Sequence, residues 1–191
     1  MFVFNWLKGT LKSIGLEKKK ANVLMLGVEN SGKTTLVHAL VEGSKYNFHG
    51  NYYLSDSKQG ATIEDCSLNF KMFRKPWREE LGGDVQGVIY LIDVADPTRF
   101  DEFKKELTRY LSAPELEGIP FAILGNKIDK KDAVTEDEFR KAFELSENSE
   151  KLSERYGRPI EVFMCSIAKG IGYETAAKWL SRVIQQQQQL K

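Results

Sequence analysis

Apolar and polar positions divide the chain into an amphipathic head and a repeating body. In residues 1–17, MFVFNWLKGTLKSIGLE, the apolar positions return at helical spacing. At about 100° per residue, Phe2, Val3, Phe4, Trp6, Leu7, Leu11 and Ile14 share an arc of about 200°, with Asn5, Lys8 and Lys12 opposite. This predicts an amphipathic N-terminal helix. Lys18-Lys19-Lys20 then reads as a linker, so the chain divides into residues 1–20 and a domain of residues 21–191.

From Ala21 onward, short apolar runs alternate with helix-period segments. Strands are predicted at 22–26, 68–73, 87–93, 119–124 and 160–164. Several are almost continuously apolar, as parallel strands buried on both faces should be. Helices are predicted at 98–111, with Phe100, Phe103, Leu107, Tyr110 and Leu111 on one side, and at 173–184. A third, at 135–145, opens with the capping box Thr135-x-x-Glu138. The alternation predicts an α/β fold: a doubly wound, mostly parallel sheet with helices on both faces. Residues 43–61 show no period and read as a long loop. The glutamine tract 185–189 reads as a frayed helix end.

Composition narrows the functional classes. The 191 residues suffice for one domain with a single core. Hydrophobic residues at 41% and charged residues at 29% give an ordinary globular balance. A net charge of +1 provides no drive toward nucleic acid. Cys66 and Cys165 alone imply no disulfide framework and fit a reducing compartment. No apolar run approaches the ~18 residues of a membrane span. The N-terminus also lacks the basic leader and cleavage site of a signal peptide.

The chemistry begins at residues 27–34, GVENSGKT, which fit G-x-x-x-x-G-K-[ST] between a predicted strand and a helix at 35–41. The glycines permit a loop whose backbone N–H groups point inward at phosphate. That makes Glu29, Asn30, Ser31, Gly32, Lys33, Thr34 and Thr35 candidate nucleotide contacts. Lys33 offers a point charge to the outer phosphates and Thr34 a hydroxyl to Mg²⁺. A second motif, Asn126-Lys127-Ile128-Asp129, ends a predicted strand, where ligands bind in open α/β sheets. The Asp129 carboxylate can accept from guanine N1–H and N2–H₂, a pair adenine does not offer. Charge-assisted bonds of roughly 1.5–3 kcal/mol each make that a strong discrimination. In the third segment, which follows Cys165, the backbone N–H groups of Ser166, Ile167 and Ala168 could hold the guanine O6. Cys165 itself reads as core.

Together these residues resemble the Ras-like GTPases, and more closely the Arf/Sar branch, with Sar the nearest type. The likeness runs from Phe4 to Ile184. Phe4-Asn5-Trp6-Leu7, GVENSGKTT at 27–35, LGNKID at 124–129 and PIEVFMCS at 159–166 all resemble Sar. Residue 2 is Phe, so the N-myristoylation signal typical of Arf proteins is absent. The resemblance implies a P-loop small GTPase using GTP/GDP and Mg²⁺. It also implies a membrane surface met through residues 1–17, and partners that include coat subunits, an exchange factor and an activating protein, but no nucleic acid. The implied location is cytoplasmic, peripheral on endoplasmic reticulum or Golgi membrane.

The switch regions depart from the family. GTPases carry a D-x-G-G turn after the third strand, and two placements are open here. Glu80-Leu81-Gly82-Gly83-Asp84 can supply it, with Glu80 toward Mg²⁺, Gly83 as γ-phosphate sensor and Asp84 at the family's catalytic His position. Alternatively the motif is deleted, with Arg74 at the Asp position and Trp77 opening a shortened helix. In the first switch, Thr62 is the candidate Mg²⁺ ligand, and the family's preceding Pro is Ala61. A working GTPase and a guanine-nucleotide scaffold with impaired hydrolysis are both compatible with this pattern.

Overall fold

The computed structural model describes residues 19–42, 59–63, 66–71 and 85–190. In chain order the elements are β1 (Lys19–Leu26), α1 (Lys33–Glu42), β2 (Gln59–Ile63), β3 (Cys66–Lys71), β4 (Gly87–Asp93), α2 (Phe100–Leu111), β5 (Phe121–Asn126), α3 (Glu136–Ala142), α4 (Ser149–Tyr156), β6 (Ile160–Cys165) and α5 (Tyr173–Gln189). The six strands form one sheet in the order β2-β3-β1-β4-β5-β6. Five strands run parallel, and β2 joins β3 antiparallel at one edge. This is the expected mostly parallel α/β sheet.

Strand alternation sorts the core into two layers, because successive side chains leave opposite faces. Leu24, Leu26, Val88, Tyr90, Ile92, Phe121 and Ile123 face one way. They pack with Phe103, Leu107, Tyr110 and Leu111 of α2, Phe139 of α3 and Leu152 of α4. Val23, Met25, Ile89, Leu91, Ala122 and Leu124 face the other way, against Leu36 and Val37 of α1 and Tyr173, Ala176, Leu180 and Ile184 of α5. Every residue of β4 and β5 is buried, as their unbroken apolar runs require. A buried cation also sits in the first layer. The Arg158 guanidinium donates to the carbonyls of Leu116 (2.6 Å) and Leu111 (3.0 Å), the second of which ends α2.

Several boundaries differ from the sequence reading. β1 begins at Lys19, so two of the three lysines read as linker pair with Cys66 and Ser67 of β3. Residues 59–61, read as loop, belong to β2. This edge strand has little apolar pattern of its own and exists by its ladder with β3. β3 begins at Cys66 rather than at 68, and β5 runs from Phe121 to Asn126 rather than from 119 to 124. The glutamine tract is not frayed: α5 continues through Gln189, and Gln187 Nε2 donates to the Gly118 carbonyl (3.1 Å). Helix α4 is absent from the sequence reading because Leu152 is its only buried residue. Its signals were caps: Asn148 accepts from Lys151 N–H (3.0 Å), and Gly157 closes the helix at φ +62°. The Thr135–Glu138 capping box is present as read. The helix expected in residues 1–17 lies outside the described residues.

β1 holds the site, because it lies between β3 and β4 and the strand order reverses about it. In open parallel sheets a crevice opens there, beyond the strands' carboxyl ends. The ends of β1, β4, β5 and β6 deliver Gly27, Asp93, Asn126 and Cys165 to that one edge.

Candidate functional site

The loop from β1 into α1 is shaped by its backbone. Gly27 sits at φ +133°, and a Cβ there would collide with the Leu91 carbonyl oxygen. Gly32 sits at φ +106°, where a Cβ would collide with the Asn126 side-chain amide. Asn30 between them takes φ +64°, a conformation Asn tolerates better than most residues. The loop thus folds tightly enough for α1 to open at Lys33, with Leu36 N–H bonding back to the Gly32 carbonyl (2.9 Å). The N–H groups of Lys33, Thr34 and Thr35, in the helix's first turn, have no intrahelical acceptor.

Lys33 is folded onto this loop. Its Nζ donates to the carbonyls of Gly27 (2.7 Å) and Val28 (2.9 Å). Burial holds its amine below the usual lysine range, with Glu29 pulling it back up and Arg99 pushing it down. Among the described residues the fully buried Ser31 hydroxyl oxygen has no hydrogen-bond partner. The loop is therefore a concave cradle with free donors and a half-buried cation, which is the chemistry a polyphosphate requires. Thr34 is exposed at its rim.

The other end is built from side chains. Asn126, 3% exposed, donates Nδ2–H to the Ser31 carbonyl (2.9 Å). Its Oδ1 accepts from Ile167 N–H (3.2 Å), and Cys165 Sγ lies 3.7 Å away. One amide thus joins the phosphate cradle to both later loops. Asp129 is exposed, and its Oδ1 accepts from the Ser166 hydroxyl (2.6 Å). That bond, more than the neighbouring Lys130 and Lys169, holds its carboxyl below the usual range. Lys127, at φ +73°, places Nζ 2.6 Å from Asp93 Oδ2. Ile167 N–H serves Asn126 and Ser166 N–H serves the Ile171 carbonyl (3.0 Å), while Ala168 is exposed.

The sequence-predicted residues at 29–35, 126–129 and 166–168 therefore converge on one edge. Thr62 does not precede a strand but lies inside β2, opposite Ser67. Glu80, Gly83 and Asp84 lie outside the described residues. Among the described residues no group of three His, Cys, Asp or Glu side chains could hold a metal ion. A cation held by Thr hydroxyls and phosphate oxygens needs no such group. Sequence reasoning missed Asp93 and Arg99. Asp93 had a signal: it is the one charge in the apolar run GVIYLID, at the ligand end of a buried strand. Arg99, whose NH1 donates to the Glu29 carbonyl (3.1 Å) from 70 residues away, had none.

Comparison with known proteins agrees with this geometry. The sequence pattern of the ADP-ribosylation factor (Arf) family matches residues 7–184. The chain belongs to the Arf family of GTP-binding small GTPases. A small COPII coat GTPase SAR1 from Giardia intestinalis is 32% identical over 196 residues, covering 94% of this chain and 98% of that protein. Another, from Nicotiana tabacum, is 32% identical over 205 residues, covering 96% and 100%. ADP-ribosylation factor-like protein 3 of Chlamydomonas reinhardtii is 28% identical over 175 residues, covering 89% and 95%. The fold is thus that of a family whose members bind GTP and GDP, typically with Mg²⁺. No helix among the described residues is long and apolar enough to cross a membrane.

Proposed function

We propose that this Arf-family chain is a Sar-type switch that binds GDP and GTP at the cradle. In the GTP state it docks on membrane through residues 1–17 and recruits coat subunits for transport between endoplasmic reticulum and Golgi. The observation that carries the nucleotide assignment is the Asn126 amide, which makes the phosphate loop and the base loops one site. End-to-end similarity to two SAR1 coat GTPases supports the coat role, and Arf-like relatives leave another Arf-like role as the alternative.

In this reading the first-turn N–H groups of α1, with loop N–H groups among residues 29–32, hold the phosphates, Ser31 N–H being engaged by the Val28 carbonyl (3.3 Å). Lys33 exchanges the carbonyls of Gly27 and Val28 for phosphate oxygens. Asp129, fixed by Ser166, accepts from guanine N1–H and N2–H₂, and Ala168 N–H donates to O6. Thr34 and Thr62, with Glu80, are the residues that would hold Mg²⁺, which when bound neutralises charge on the β- and γ-phosphates. Gly83 would sense the γ-phosphate.

Hydrolysis is slow in this proposal. Asp84 at the family's His position puts a carboxyl group where the family has an imidazole. A carboxylate there adds repulsion where charge needs stabilising. As a base it helps little, because the loose phosphoryl-transfer transition state gains little from one. Only residues 74–86 lie between the end of the predicted strand at 73 and β4, which is short for a complete second switch. That shortness also favours the second reading, a guanine-nucleotide-binding scaffold with impaired hydrolysis.

Single-turnover GTP hydrolysis of wild type beside Asp84→His separates the two. A family-typical wild-type rate, indifferent to changes at Glu80 and Asp84, would overturn the slow-hydrolysis proposal and the placement of residues 80–84. The membrane part is tested by co-sedimentation with liposomes. The full chain in the GTP state should sediment and a variant lacking residues 1–17 should not, while both retain nucleotide.

A further inference from the structure

The segment from Asp93 to Arg99, which connects β4 to α2, touches both ends of the site. At its start, Asp93 pairs with Lys127 of the base loop. At its end, Arg99 reaches the crown of the phosphate loop. Val94 N–H donates to the Asn126 carbonyl (3.0 Å), and Val134 N–H donates to the Val94 carbonyl (3.0 Å), so the segment is also tied along its length.

The Arg99 guanidinium is held from three sides. Nε donates to Glu102 Oε2 at 2.8 Å, one turn along α2. The guanidinium carbon lies 5.6 Å from the ring centroid of Phe103, which is fully buried in the first core layer. NH1 then donates to the Glu29 carbonyl at 3.1 Å. Glu29 stands between the strained glycines, one residue beyond the Gly27 and Val28 carbonyls that Lys33 holds and would release to phosphate. Asn126 fixes the inner limb of this loop through the Ser31 carbonyl. Arg99 is the corresponding anchor of the outer limb.

We infer that Arg99 is a positioning residue for the phosphate loop: it holds the Glu29 peptide so that the loop's N–H groups stay aimed inward when nucleotide binds. This rests on the proposed nucleotide reading. Charge at the γ-phosphate is not the main effect, because Glu102 offsets the guanidinium from the solvent side. The consequence is specific. Losing Arg99 loosens GDP and GTP alike, since both use the loop N–H groups. Guanine selectivity is untouched, since Asp129 and Ser166 lie at the other end.

The test uses the full chain loaded with fluorescent GDP or GTP analogues. Arg99→Ala should release both nucleotides roughly three- to tenfold faster, the worth of one hydrogen bond, with the GTP-to-GDP ratio within twofold of wild type. The affinity ratio of GDP to IDP, which lacks the 2-amino group, should stay at the wild-type value. Arg99→Lys should recover less than half of the loss, because a lysine lacks the fork that serves Glu102 and Glu29 together. Glu102→Gln, which leaves the loop and the core intact, should give a smaller loss in the same direction, so the inference does not depend on Arg99→Ala folding. Release rates unchanged in both Arg99→Ala and Glu102→Gln would overturn it. So would a loss confined to GTP, which would mean contact with the γ-phosphate, or a shifted GDP-to-IDP ratio, which would mean general loosening. If wild type itself fails to retain guanine nucleotide, the nucleotide reading fails instead.

Discussion

The two ends of the proposed nucleotide site are made from different materials. At the end proposed for phosphate the parts are backbone: two glycines and an asparagine in left-handed conformations and the opening turn of α1, with the Lys33 amine folded onto them. At the base end the working parts are side chains: Asn126, Lys127, Asp129 and Ser166, each with a named partner. Phosphate is the same in every nucleotide and needs only donors and positive charge. A base is identified by its donor and acceptor pattern, which side chains can match and a generic backbone cannot. The phosphate end should therefore be intolerant of a methyl group, and the base end of exchanging one polar atom for another.

The largest effect expected is at the base end. In the proposed site Asp129→Asn would remove the acceptor of two charge-assisted bonds, so GDP affinity should fall on the order of 10²- to 10⁴-fold. Xanthine nucleotides, whose 2-oxo group accepts, should gain. Calorimetric titration with GDP and XDP checks this, and unchanged GDP affinity would remove Asp129 from the site.

Next comes the backbone end. Gly32→Ala adds a methyl group at φ +106° against the Asn126 amide. The strain should cost about 2–4 kcal/mol, read as a melting temperature lower by roughly 5–15 °C in excess GDP. The GDP-to-IDP preference should survive. A variant that melts normally would show that the loop reshapes freely and would break the contrast between the ends.

Smaller effects sharpen the comparison. Asp93→Asn leaves Lys127 without its charge partner, so GDP should dissociate about tenfold faster while phosphate-end behaviour, read as the GTP-to-GDP ratio, stays constant. An altered ratio would mean that the β4–α2 segment acts on both ends at once. The smallest effect concerns Cys165. Burial disfavours the charged thiolate and pushes its thiol up to about 12, so thiolate appears only as pH rises toward that value. In a Cys66→Ser background, alkylation of the GDP-bound protein by iodoacetamide at pH 8.5 should be far slower than that of a free thiol. Rapid labelling would mean that the floor beneath Asn126 opens to water.

Much of this was legible in the residues. The tight turn at 27–32 was readable because Gly27 and Gly32, which take left-handed backbone there, stand at fixed spacing in the motif. Asn126 and Asp129 stood out because they follow a buried apolar run. The Thr135–Glu138 capping box was readable because a cap is local, closing within three residues. Helix α4 escaped because one buried leucine makes no period. Strand β2 escaped because an edge strand takes its shape from its neighbour, as Thr62 opposite Ser67 illustrates.

The sequence by itself determined where the chain turns, which faces are apolar and which nucleotide chemistry is available. Those properties live in spacings of two to seven residues and in the conformational preferences of single residues. Only the tertiary structure decided who holds whom. Asn126 meets Ser31 across 95 residues and Arg99 meets Glu29 across 70. Asp93 and Lys127 come face to face because β4 and β5 lie side by side in register. Such pairings leave no periodic trace, since they follow from strand order in the sheet and not from any neighbourhood along the chain.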